Sequence, residues 1–251
     1  MKTFLYKDFH YLEERHWWFV GRRKIIFTLI QRYAPQPARI LDAGCGAGYT
    51  TGALRRFGEV FAFDSAPEAV AYATERELQV KQGEMTAIPY ADEDFEFVTA
   101  LDVLEHVEND KLALAEMWRV MKTGGTLFFT VPAYRFLWSP HDDVNQHKRR
   151  YTAKEMRAKM TETGFSLLKL SYYNTLLFPP IAATRAFRRL FPAAEVENRS
   201  DFSLPHQSGV NTILTSLLTL EARLLRSMNF PFGVSLVGVA KKLGPGRKSN
   251  E

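Results

Sequence analysis

Hydrophobic residues fall along this chain in short dense runs, each followed by a longer stretch whose apolar positions recur at helical spacing. The runs at 38–42, 59–63, 79–83, 95–101 and 125–131 predict strands, and the stretches at 49–57, 67–77, 110–121 and 152–162 predict helices. Strands separated by helices of this length imply right-handed βαβ units in a parallel sheet covered on both faces. Ligands of such sheets bind at the carboxyl ends of the strands.

Ahead of this alternation, Tyr6 to Tyr33 is aromatic, charged and predicted helical, ending where Pro35 and Pro37 interrupt the chain. After it, Gly164 to Tyr173 and Phe232 to Lys241 predict two more strands, with a gap between them too long for a hairpin loop. The gap holds LLFPPIAATRAFRRLF (176–191), a polar stretch with Pro192 and Pro205, and a predicted helix over 210–228. In that helix Leu214, Leu217, Leu218, Leu224, Leu225 and Met228 share helical spacing. The layout expected is an N-terminal helical cap (1–36), a catalytic α/β domain (37–173 with 230–243), a helical insertion (174–229) and a disordered tail (244–251).

With 251 residues, 46% of them hydrophobic, the chain can bury one large core. The formal charge of +5 is dispersed in short clusters (Arg22 to Lys24, Lys148 to Arg150, Arg185 to Arg189). No nucleic-acid-binding module accompanies them, which counts against a nucleic-acid partner. A single cysteine, Cys45, excludes an internal disulfide framework and suits a reducing compartment, so a cytoplasmic location is expected. Met1 to Trp18 lacks the apolar core of a signal peptide, and no run reaches the roughly 18 apolar residues of a spanning helix. Association with the inner face of a membrane through 176–228, whose apolar pieces are edged by arginines, is the one membrane role left.

The sharpest local signal is LDAGCGAG at 41–48, where Gly44, Gly46 and Gly48 follow a strand that ends in Asp42. Glycines allow a tight turn and let a ligand approach bare backbone. The next strand ends in Asp64, 22 residues beyond Asp42, where a carboxylate can accept from both hydroxyls of a ribose. A dinucleotide fingerprint would need Gly or Ala where this chain has Tyr49, and has no use for Asp42, which suits the ammonium of an amino-acid cofactor.

Four stretches, LDAGCGAG, FAFDSAP, GEMTAIPYADEDFEFVTALDVLEHV and MKTGGTLFFTVP, resemble in order and spacing the class I S-adenosylmethionine-dependent methyltransferases. The resemblance runs from about Ala38 to Tyr173, with the last strand at Phe232 to Lys241. It implies a Rossmann-like fold with a mostly parallel seven-stranded sheet, and S-adenosylmethionine as cofactor. Asp42, Gly44, Cys45, Gly46 and Gly48 would hold its methionine part, Asp64 and Ser65 its ribose, Glu84 and Met85 its adenine, with Leu101 at its edge. The family often has Asp where this chain has Glu84.

Two places could assist transfer to an oxygen. If LDVLEHV is helical, Asp102, Glu105 and His106 share one face, as oxygen and nitrogen ligands of a hard cation would. The stretch resembles ubiquinone-pathway O-methyltransferases, where such residues are associated with magnesium; in metal-free relatives it is a structural turn. The loop after the fifth strand gathers His141, Asp142, Asp143, His147, Arg149, Arg150 and Tyr151, and either histidine could take a proton with Asp142 orienting its ring. The histidines could equally be exposed on a salt-bridged loop. His16 to Phe19, ahead of Arg22 and Arg23, read either as a lid or as a docked helix. The expected activity is methyl transfer to an oxygen of a small or lipid-linked acceptor. Transfer to nitrogen or nucleic acid, and a silent cofactor-binding scaffold, stand as alternatives, and the oligomeric state is left open.

Overall fold

A computed structural model describes residues 4–34, 36–190 and 209–244. Two helices, α1 (Phe4–Arg15) and α2 (Trp17–Tyr33), precede an alternating series: β1 (Arg39–Ala43), α3 (Tyr49–Leu54), β2 (Glu59–Asp64), α4 (Pro67–Glu75), β3 (Gln79–Gln82) and β4 (Phe95–Leu101). A single 3-10 turn at Leu104–His106 leads to α5 (Asp110–Val120), β5 (Met121–Pro132), α6 (Pro140–Val144), α7 (Ala153–Thr163) and β6 (Phe165–Tyr173). Then come α8 (Phe178–Leu190), α9 (Gly209–Leu225) and β7 (Ser235–Lys242). The polar stretch with Pro192 and Pro205 and the tail beyond Gly244 lie outside the described residues.

The strands form one sheet in the order β3-β2-β1-β4-β5-β7-β6, parallel except for β7, which runs against both neighbours. The order in which strands are added reverses between the parallel neighbours β1 and β4, so a crevice opens at their carboxyl ends. Alternation on the central strands sorts the core. Val98 and Phe129 join Ala113, Leu114, Met117, Met156 and Met160 of α5 and α7 on one face. On the other, Phe97 and Phe128 join Ile25, Ile26, Leu29 and Ile30 of α2 and Leu218, Ala222 and Leu225 of α9.

The last helix is therefore part of the same layer as the N-terminal pair. Its crossing with α2 is tight: a Cβ on Gly21 would stand 2.5 Å from Leu218 Cδ1, so only glycine permits the approach. Asn211 fastens the junction, its Oδ1 accepting from Trp17 N at 2.8 Å and its Nδ2 donating to Arg15 O at 3.0 Å. No described helix is long and apolar enough to cross a membrane.

Candidate active site

At the crevice the chain leaves β1 in a turn that side chains could not follow. Gly44 and Gly48 have φ of +77° and +83°, and a Cβ on either would collide with Val103 or Leu78. Gly46 has open space on the side where its Cβ would stand, apart from a carboxylate oxygen of Glu13 at 3.8 Å. Asp64, at the end of β2, grips this turn: its Oδ2 accepts from Gly46 N at 2.9 Å and its Oδ1 from Ala66 N at 3.0 Å. Each oxygen keeps a further lone pair, as a ribose diol requires. Burial raises the pKa of Asp64 against the pull of those amides.

Asp42 lies beneath the turn, 2% exposed, with hydroxyls of Thr51 and Thr99 donating to it at 2.6 Å each. Burial again raises its pKa, opposed by those two bonds and by the Arg22 charge. Cys45 is buried, and desolvation pushes its thiol far above the usual range, so it packs as a small apolar group. Gly83 N donates to Asp64 O at 3.0 Å, which ties the end of β2 to the turn carrying Glu84 and Met85. Met85 is buried, whereas Glu84 and Ser65 are exposed. Pairing of Ala43 with Ala100 sets Leu101 beside the start of the glycine turn.

The N-terminal helices reach this edge. Glu13 of α1 accepts from Tyr49 N at 3.0 Å, taking an amide at the start of α3. Arg76 donates to Ala47 O at 2.9 Å and meets His10 Nδ1 at 3.3 Å. Desolvation raises Glu13 to about 7, against the Tyr49 amide and the charges of Arg22, Arg23 and Arg76. Glu13 and Arg22 went unmarked as site residues in the sequence, since both sit in a helical pattern with the period of a docked surface helix; two charged residues buried among aromatics were the available signal.

The turn after β4 departs from expectation. LDVLEHV is not an α-helix: Asp102 has φ +55° and precedes a lone 3-10 turn, so Asp102, Glu105 and His106 do not share a helical face. The Asp102 carboxylate is instead paired with the buried guanidinium of Arg22. The residues that do converge are Glu105, His106 and His147, whose ligand atoms all lie within 4.8 Å of one another. This set does not fit the magnesium associated with the motif. Magnesium demands an octahedron of oxygens, and two of these three donors are imidazoles. Glu105 is 1% exposed with neither oxygen bonded, and burial, reinforced by the Asp102 charge, holds its pKa well above the ordinary range. Burial and the neighbouring His147 depress His106 to about 3.

The loop after β5 is organised around Asp142, which is fully buried. Its Oδ1 faces His147 Nδ1 at 2.8 Å and accepts from Arg150 Nε at 2.7 Å, while its Oδ2 accepts from Arg150 Nη2 at 3.0 Å and Ser139 N at 2.8 Å. Burial alone would raise this carboxylate, but the His147 bond and the Arg150 charge hold it well below the usual range. Arg150 also donates to Ala133 O at 3.1 Å, and Lys148 N donates to Glu105 O at 2.7 Å, which brings His147 against the β4 turn. Asp143 is outside this network and accepts from Trp138 Nε1 at 2.9 Å. His141 sits against Asn145, edge-on to His147 with ring centres 6.0 Å apart. Beyond the loop, Tyr134 stacks on Tyr172 and meets Phe178 of α8, and Phe178 meets Phe232, forming an aromatic wall.

Residues 41–129 match the methyltransferase domain family. The malonyl-[acyl-carrier protein] O-methyltransferase of Halorhodospira halophila is 31% identical over 163 residues, covering 58% of this chain and 55% of that one. The ubiquinone biosynthesis O-methyltransferase of Xanthomonas campestris is 36% identical over 107 residues, covering 39% and 45%. The chain thus spans about half the length of these curated relatives. Among solved structures, a chain of the complex between the Haloferax volcanii Trm112 methyltransferase activator and its methyltransferase shares the fold at a TM-score of 0.61, with 19% identity and coverage of 94% and 93%. Sheet order, glycine turn, acidic residue after β2 and family match agree: residues 41–129 carry a methyltransferase domain on a Rossmann-like sheet.

Proposed function

We propose that this protein transfers the methyl group of S-adenosylmethionine to an oxygen of an amphipathic small or lipid-linked acceptor. The observation that carries the cofactor half is the grip of Asp64 on Gly46 at the β1 and β4 crevice, which presents a carboxylate and bare backbone to a nucleoside and its amino-acid tail. Asp42, Gly44, Cys45, Gly46 and Gly48 line the methionine end in this reading, with Ser65, Glu84, Met85 and Leu101 around the nucleoside.

Methyl transfer from a sulfonium is an in-line displacement, so the protein's share is to hold the acceptor in attack geometry and exclude water. A hydroxyl acceptor also loses a proton. His147 is placed to receive it, because Asp142 fixes its ring from Nδ1 and leaves Nε2 for the acceptor. The aromatic wall of Tyr134, Tyr172, Phe178 and Phe232 suits a greasy acceptor body, and the O-methyltransferase relatives support oxygen as the target atom.

Apolar side chains exposed on α8 and α9, with Arg188, Arg223 and Arg226 among them, suit delivery from a membrane surface. The decisive experiment is calorimetric titration of the purified protein with S-adenosylmethionine and with its demethylated product, beside Asp64→Ala. Micromolar binding that the variant loses is the expected result. Absence of binding to folded wild-type protein overturns the proposal.

A further inference from the structure

Glu105, His106 and His147 meet from two separate segments, the turn after β4 and the loop after β5, and each presents an atom without a committed partner. Glu105 is 1% exposed and both of its oxygens lack a hydrogen bond. A buried carboxylate left this way loses its hydration with nothing in return, and such groups are normally bonded or bound to a cation. His106 Nδ1 is likewise buried and unpartnered. His147 is set from the other side: with Nδ1 held by Asp142 at 2.8 Å, Nε2 is the atom it can offer. The two rings stand edge to face, centres 4.7 Å apart.

The imidazole of His147, its far nitrogen fixed by a carboxylate, has the outer support that orients metal-ligating histidines, and it stands beside an unpartnered His106 Nδ1 and a bare carboxylate. Asp142 is itself fastened by Arg150, so the orientation of His147 is rigid. A donor set of two nitrogens and one oxygen suits borderline divalent ions of the first transition row, and not magnesium. We infer that Glu105, His106 and His147 bind one divalent transition-metal ion, of the zinc or cobalt(II) type, at the acceptor edge of the sheet. Asp102 takes no part, because its carboxylate is committed to Arg22. With an ion in place His147 is a ligand rather than the proton acceptor, and the ion supplies a Lewis acid beside the acceptor.

The test uses chelator-treated, dialysed full-length protein titrated with Co²⁺ and, separately, with Zn²⁺. Expected are visible Co²⁺ bands of a low-symmetry nitrogen and oxygen site saturating at one equivalent, their displacement by Zn²⁺ but not by excess Mg²⁺, and a midpoint of thermal unfolding that rises with Zn²⁺ concentration. Glu105→Gln and His147→Ala weaken Co²⁺ binding at least about tenfold, in line with the loss of a ligand. Asp102→Asn leaves the spectrum and the stoichiometry intact. Wild-type protein that shows no Co²⁺ bands overturns the inference, whatever the variants do. So does binding unchanged in a Glu105→Gln protein with native circular dichroism. Metal binding is read here without cofactor, and the S-adenosylmethionine titration without metal, so failure of either reading is seen apart from the other.

Discussion

The two halves of the crevice are built from different materials. On the side proposed for the cofactor, backbone does the shaping: three glycines, the amides of Gly46 and Ala66, and one carboxylate at the end of β2. On the side proposed for the acceptor, long side chains reach across loops, with Asp142, Arg150, His147 and Glu105 drawn together from positions 105–150. A backbone-built site tolerates little change but depends on few residues. A network of buried charges concentrates its stability in single groups.

Asp142→Asn tests this contrast most severely. It leaves Arg150 buried beside a neutral amide and removes the anion that orients His147. Breaking one partner of a buried ion pair costs about 3–5 kcal/mol, and urea unfolding should show a loss of that size. A loss below about 1 kcal/mol would mean that the loop does not depend on this network. On the other half, Asp64→Ala removes the acceptors of Gly46 N in the turn and of Ala66 N after β2 and, in the proposed complex, two charge-assisted bonds to a ribose. At about 1.5 kcal/mol each, cofactor affinity falls roughly a hundredfold or more, while stability changes less than in the Asp142 variant.

The same contrast explains what the sequence disclosed. The glycine turn and Asp64 are read from local spacing, because each element of that half lies within one βαβ unit, and all seven strands sit within a few residues of the predicted runs. The acceptor half depends on contacts between distant segments. Spacing of three and four predicted a helical face for Asp102, Glu105 and His106, but the left-handed conformation of Asp102 breaks the helix and sends its carboxylate to Arg22, 80 positions away. No local period encodes that pairing, nor the arrival of His147 beside Glu105. Similarly, α9 fitted an insertion by position, yet its apolar periodicity completes the layer begun by α2.

The N-terminal helix joins the cofactor half through Glu13, and its titration measures how firmly. Burial raises this carboxyl to about 7 from 4.5. The folded state thus binds a proton more tightly than the unfolded chain, so the relative stability is full below pH 4.5, falls as pH rises, and levels off above about 7. The shift corresponds to at most about 3 kcal/mol. Glu13→Gln keeps an acceptor for Tyr49 N without the charge. It should therefore melt above wild type at pH 8 and together with it at pH 4.5, by thermal scans across that range. A variant less stable at pH 8 would show that the charges of Arg22, Arg23 and Arg76 outweigh desolvation.

The smallest effect is expected on the outer face of α9, and its smallness is informative. Val210, Ile213, Leu220 and Leu224 follow one another at intervals that keep them on one side of the helix, and all are exposed, opposite Leu218, Ala222 and Leu225 in the core. Substitution of an exposed residue away from such packing shifts stability by no more than about 0.5 kcal/mol, whereas Leu218→Ala leaves a cavity against Gly21 and costs about 2–5 kcal/mol. Ile213→Ser should therefore unfold with the wild-type midpoint. If this face delivers a lipid-like acceptor, the same variant loses co-sedimentation with anionic vesicles while its affinity for S-adenosylmethionine is unchanged. A drop in stability instead would place Ile213 in a packed interface, and the apolar stripe would then belong to the fold rather than to the acceptor.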